Sequence, residues 1–165
     1  MGFWGGGTVL AKNTSAVLCD CIKHYMGEEK FSNNFKFSSV RNPFSRAVSM
    51  WKHWSWSEAK TFNDFCRMIQ KGDYPNRCAI WHSGTLYEHL VGNGNLLVDM
   101  VVRLENLQQD IDTVCDKIGV LQHKLLHQNK SRHKHYTEYY DDETRQIVTE
   151  KYRKDVEYFG YEFGD

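Results

Sequence analysis

Apolar residues recur at helical spacing over residues 15–25 (Val17, Leu18, Cys21, Ile22, Tyr25), and Gly27 follows as a stop. The spacing then changes. Phe35, Phe37 and Val40 predict a short buried strand. Arg41 follows it, Asn42-Pro43 turns the chain, and a helix carrying Arg46 and Ser49 is predicted to run to about residue 54. Pro43 cannot donate to a sheet ladder but suits the first turn of a helix. Thr61 with Asp64 marks a capped start for a short helix bearing Phe62, Phe65, Met68 and Ile69, and residues 72–75 read as loop. Residues 86–91 and 96–102 flank Gly92-Asn-Gly-Asn95, which predicts a strand pair around a hairpin turn. An amphipathic helix over Leu107–Ile118 stops at Gly119. Asp141 or Asp142 is placed to cap a last helix reaching about Phe159, closed by Gly160.

This order (helix, strand, two helices, a strand pair, helix, loop, helix) predicts a mixed α/β fold. At 165 residues the chain has the length of one domain; residues 1–8 are glycine-rich, and residues 1–12 are expected to be irregular.

Composition narrows the partners. Lys+Arg 21 balances Asp+Glu 21, so bulk charge points to neither nucleic acid nor a membrane surface. The charge is uneven, however. Residues 121–135 hold four Lys/Arg, four His and no acid, which suits a small anion better than a polymer. Five cysteines form no regular framework, as expected of a reduced protein. No apolar run approaches a membrane span, and the first residues lack the pattern of a secretory leader. Together these predict a cytoplasmic or otherwise soluble intracellular protein. His123 and His127 have the spacing of a zinc pair, but no acid or thiol is spaced with them and the local charge is basic, so no metal is expected.

Candidate chemistry concentrates after the first strand. An arginine at the carboxyl end of such a strand stands where open α/β sheets bind ligands, and a helix N-terminus beside it favours an anion. A guanidinium fork matches phosphate oxygens, and Ser49 adds a neutral donor further along the helix.

Four separated segments resemble one family. Residues 40–49 (VRNPFSRAVS) look like the 3′-phosphate-binding segment of carbohydrate-type sulfotransferases, which use 3′-phosphoadenosine 5′-phosphosulfate as donor. Residues 102–110 (VRLENLQQD) resemble their later strand-to-helix segment, residues 127–131 (HQNKS) their donor-covering loop, and residues 139–163 their C-terminal helix and closing aromatics. The resemblance implies a P-loop-kinase-like fold, with a mainly parallel central sheet flanked by helices. It also implies transfer of a sulfuryl group to a hydroxyl of a carbohydrate-like acceptor. Arg41 and Ser49 would hold the donor's 3′-phosphate with Arg46 as a further contact, and Asn129, Lys130 and Ser131 would cover the donor.

The chain departs from the family in two respects. The family's opening loop, P-K-x-G-T-[ST], has no counterpart before Phe35, so its first βα unit is missing from the pattern. Asn13 also stands where many relatives carry a histidine. Whether the chain is an enzyme therefore stays open at this point. The alternative is a catalytically silent or truncated module that binds a nucleotide or a sulfated glycan. His53, four residues after Ser49, and Lys12 are the candidate catalytic groups. Trp54, Trp56 and His82 could line a sugar, whereas Trp51 reads as core and Glu105 as a structural partner of Arg103. A sheet edge left open by a missing strand would be a route to a homo-oligomer.

Overall fold

The computed structural model describes residues 17–53, 59–125 and 134–165. Two helices, α1 (Val17–Met26) and α2 (Glu28–Asn33), lead into the strand β1 (Phe37–Val40). Helices α3 (Pro43–His53), α4 (Phe62–Lys71), α5 (Arg77–His82) and α6 (Leu86–Leu90) follow. A minimal hairpin, β2 (Val91–Gly92) with β3 (Asn95–Leu96), precedes β4 (Met100–Arg103), a 3₁₀ turn (Leu104–Asn106) and α7 (Leu107–Ile118). A second 3₁₀ turn (Tyr136–Tyr139), α8 (Asp142–Lys151) and α9 (Arg153–Phe159) complete the described part. None of these helices is long and apolar enough to cross a membrane.

The result is an α/β structure around a small parallel sheet. β1 pairs with β4 in parallel, from Phe37 opposite Met100 to Val40 opposite Arg103. Lys36 and Asp99 fasten the start of the pair: the Lys36 N–H donates to Asp99 Oδ2 at 2.7 Å, and its ammonium lies 2.8 Å from the same oxygen. Because the strands run in register, both chains leave the sheet at one edge, β1 into Arg41 and β4 into the 3₁₀ turn with Glu105. Among the described residues the parallel sheet has two strands, and the hairpin is separate from it.

Local signals explain most boundaries. Thr61 and Asp64 form the reciprocal capping box at α4. Asp141 caps α8 by accepting the Thr144 N–H at 2.8 Å. Gly119, with φ 71°, takes the left-handed conformation that ends α7. Four expectations are corrected. Residues 86–90 are helical, because Thr85 Oγ1 accepts the Glu88 N–H at 3.2 Å and starts a helix where the apolar run suggests a strand. The hairpin shrinks to two residues per strand around Asn93 (φ 51°) and Gly94 (φ 78°), the positive φ pair that a tight primed turn requires. Residues 100–103 pair with β1 instead of the hairpin. Last, the single helix expected to reach Phe159 breaks at Tyr152 (φ −110°, ψ 25°) into α8 and α9.

Burial divides into two clusters. The larger joins α3 (Phe44, Ala47, Val48, Met50), α4 (Phe62, Phe65, Cys66, Ile69) and α8 (Ile147, Val148) with Tyr136 and Tyr152. Each large apolar side chain removed from water there contributes roughly 1.5–3 kcal/mol. Trp51 packs against this cluster as expected, its ring 5.6 Å from Phe62 and its Nε1 donating to the Ala59 carbonyl at 3.2 Å. The smaller cluster joins Val40 with Leu90, Phe159 and Tyr161. It sits under the sheet edge at which Arg41 emerges. Val102 of β4 is buried as well, whereas Phe37, expected to be buried, is 46% exposed, with the Phe35 ring stacked 6.5 Å from its own.

Candidate anion-binding site

The β1–α3 turn is built around Asn42, which is fully buried. Its N–H donates to Glu105 Oε1 at 2.7 Å, and its amide nitrogen donates to the Glu162 carbonyl at 2.8 Å. Its Oδ1 accepts from the Phe44 N–H at 2.9 Å and the Ser45 N–H at 3.4 Å, so Asn42 caps α3 from within. The expectation that the α3 N-terminus offers its amides to an anion is corrected by this cap. What the turn presents is the half-buried side chain of Arg41.

Arg41 donates from Nε and Nη2 to one acceptor, Ser45 Oγ, at 3.0 and 2.8 Å. Among the described residues it forms no ion pair. Burial holds its pKa below the usual arginine value; Glu105 pushes it up again and Arg46 adds repulsion. The Glu105 carboxylate is committed elsewhere, to the Asn42 N–H and to the Tyr161 hydroxyl at 3.3 Å. It does not form the expected pair with Arg103, whose Nη2 donates to the Phe159 carbonyl and whose guanidinium lies over the Tyr161 ring at 4.8 Å. A partly desolvated cation without a bonded carboxylate is costly to keep. Ser45 and Ser49, one turn apart on α3, share the helix face that starts at Arg41. Both are half-buried.

Arg46 is placed differently. Its Nη1 donates to Asp155 Oδ2 at 3.2 Å, and its Nη2 donates to the Gly84 carbonyl and more weakly to that of His82 at 3.5 Å. Its guanidinium covers the Tyr152 ring at 4.8 Å. The two charged side chains are 11% and 0% exposed. Asp155 also accepts the Leu86 N–H (3.0 Å) and the Tyr87 N–H (2.7 Å), the first amides of α6. Burial raises the pKa of Asp155, while the Tyr87 N–H and Arg46 pull against it. Arg46 thus ties α3 to Asp155 of α9, which in turn holds the start of α6.

His53 is exposed at the end of α3, one turn beyond Ser49. His82 is exposed at the end of α5, beside the Arg46 contacts. Lys12, Trp54, Trp56, Asn129, Lys130 and Ser131 lie outside the described residues. Among those described, no group of His, Cys, Asp or Glu is gathered to hold a metal ion. The Cys66 thiol is buried, and burial pushes its pKa up to about 12, which leaves it unreactive. Two residues of the site escaped the sequence reading. Ser45 had a visible signal, its i+4 spacing from Arg41. Asp155 had none, since 109 positions separate it from Arg46.

Comparison with protein families matches residues 15–162 to a model described as "Sulfotransferase family". Comparison with curated proteins and with solved structures gives no match.

Proposed function

The chain belongs to the sulfotransferase family, and on that premise we propose that it moves a sulfuryl group from 3′-phosphoadenosine 5′-phosphosulfate to a hydroxyl of a carbohydrate-like acceptor. In that reaction the sulfur–oxygen bond to the donor's 5′-phosphate breaks and a new one to the acceptor oxygen forms. The acceptor proton passes to a base, and 3′-phosphoadenosine 5′-phosphate leaves. One observation carries the reading: Arg41, at the carboxyl edge of the parallel sheet, holds a half-buried charge that no ion pair cancels among the described residues. A phosphate monoester supplies the missing anion, and Ser49 on the same helix face supplies a neutral donor. In this proposal Asn129, Lys130 and Ser131 cover the nucleotide, and Trp54, Trp56 and His82 face the acceptor. His53 and Lys12 are the candidates to take the proton or to stabilise the leaving phosphate. In this proposal residues 1–165 form one α/β domain, and the edges that its two-stranded sheet leaves unpaired among the described residues offer a route to self-association.

A second reading rests on the sequence. No P-K-x-G-T-[ST] segment stands before Phe35, so the reacting end of the donor has no assigned cradle. A module that binds the nucleotide or a sulfated glycan without transferring sulfate is the alternative. Two measurements on the full chain separate these readings. Calorimetric titration with 3′-phosphoadenosine 5′-phosphate is expected to give saturable binding, and absence of binding at millimolar ligand would overturn both nucleotide readings. Incubation with donor labelled in its sulfate and a panel of glycans then decides between them: labelled glycan supports the enzyme, and binding without label supports the silent module.

A further inference from the structure

An arginine can anchor an anion tightly only if little freedom is lost when the anion arrives. Unrestrained, the Arg41 side chain would have to be immobilised on binding. The structure shows what restrains it. Ser45 Oγ accepts from Nε at 3.0 Å and from Nη2 at 2.8 Å, and these two nitrogens form the side edge of the guanidinium plane. One oxygen therefore closes that edge. The end edge, Nη1 with the outer hydrogen of Nη2, remains for a ligand.

The restraint is neutral, which matters as much as its geometry. Ser45 orients the fork without cancelling its charge, whereas a carboxylate at the same bonds would do both. The nearby carboxylate, Glu105, is held by the Asn42 N–H and the Tyr161 hydroxyl. Among the described residues, all hydrogen bonds from the Arg41 side chain go to Ser45. Ser45 is itself fixed by position: it lies in the first turn of α3, its N–H directed to the Asn42 cap at 3.4 Å.

We propose that Ser45 is a positioning residue of the nucleotide site, holding Arg41 so that its Nη1–Nη2 edge meets the donor's 3′-phosphate end-on. The inference rests on the nucleotide reading given above. It adds Ser45 to the 3′-phosphate site of Arg41 and Ser49 as the member that touches no ligand and sets the angle of the arginine.

The test is a double-mutant cycle read by calorimetry on the full chain, with 3′-phosphoadenosine 5′-phosphate and adenosine 5′-phosphate as probes. Ser45→Ala is expected to weaken the bisphosphate about five- to tenfold, the range of one lost hydrogen-bonded restraint. Adenosine 5′-phosphate, which lacks the 3′-phosphate, should bind Ser45→Ala as it binds wild type. Ser45→Thr keeps the hydroxyl and is expected within about twofold of wild type. Added to Arg41→Ala, Ser45→Ala should cost nothing further, because its effect runs through that arginine. A serine with only a helix-packing role would lower the thermal midpoint and leave this coupling at zero. Unchanged bisphosphate affinity in Ser45→Ala, or full additivity with Arg41→Ala, would overturn the proposal while the nucleotide reading stands. No binding by wild type would overturn that reading, and this one with it.

Discussion

Arg41 and Arg46 stand five positions apart in one segment, and the fold uses them in opposite ways. Arg46 is inside: a fully buried carboxylate, two carbonyls and an aromatic face surround its guanidinium. Arg41 is half outside, bonded to one hydroxyl, with no ion pair among the described residues. Composition and spacing make the two look alike. The difference is set by where the second charge comes from. For Arg46 it is built into the chain at Asp155; for Arg41 none is supplied among the described residues, and in the proposed function the ligand brings it. A buried pair is costly to break, while an uncompensated charge is costly to keep, and the second condition is the one that favours ligand binding.

Substitutions can break this contrast. The largest effect is expected from Asp155→Ala. It strands the Arg46 cation and leaves the Leu86 and Tyr87 N–H groups without their acceptor, so urea unfolding should show a loss of roughly 3–5 kcal/mol. Replacing both partners with apolar residues, as in Arg46→Met with Asp155→Leu, should cost less than Asp155→Ala alone. Asn42→Ala comes next: it removes the α3 cap and the Glu162 contact, for about 1–2 kcal/mol by the same measurement. Arg41→Ala is expected to leave stability within about 0.5 kcal/mol of wild type, as for changes outside the core. It should nonetheless weaken 3′-phosphoadenosine 5′-phosphate by about 1.5–3 kcal/mol in calorimetry, the scale of charged hydrogen bonds. If Arg41→Ala unfolds the protein as Asp155→Ala does, the contrast fails.

The smallest effect near neutrality is that of pH. Hydrogen bonds from Thr144 and Asn63 hold Asp141 below the usual aspartate value, Lys36 does the same for Asp99, and Thr61 for Asp64. A depressed folded-state pKa gives stability that is present above the unfolded value, about 3.9. That stability is lost as pH falls through the lower folded value. These three groups should therefore make the urea midpoint decline below about pH 4. Asp141→Asn should flatten that decline.

Local chemistry was legible in the sequence. The Thr61–Asp64 box, the Asp141 cap, the Gly119 stop and the entry of α3 at Pro43 all depend on neighbours within four residues. So did the position of Arg41 at a strand end. Residues 86–90 were misread because apolar character outweighed the Thr85–Glu88 cap, although that cap was equally local. The break at Tyr152 and the diversion of Arg46 to Asp155 were not legible, since both arise from side chains buried against distant elements. The alternation over residues 35–40 named the strand. It could not say that β4, some sixty positions on, would be its partner, nor that Phe37 would remain uncovered.

The bond from the Asn42 amide to the Glu162 carbonyl spans 120 positions. On the ribosome, at about 5–20 residues per second, roughly 6–24 s separate the synthesis of its two ends. During that interval α3 can form with its Asn42 cap, but the turn that presents Arg41 has neither its Glu162 contact nor the Tyr161 hydroxyl that steadies Glu105. Contacts of such separation close late in folding. The nascent chain thus carries a helix ready at its start and an Arg41 turn that is finished only when residues 161 and 162 have emerged.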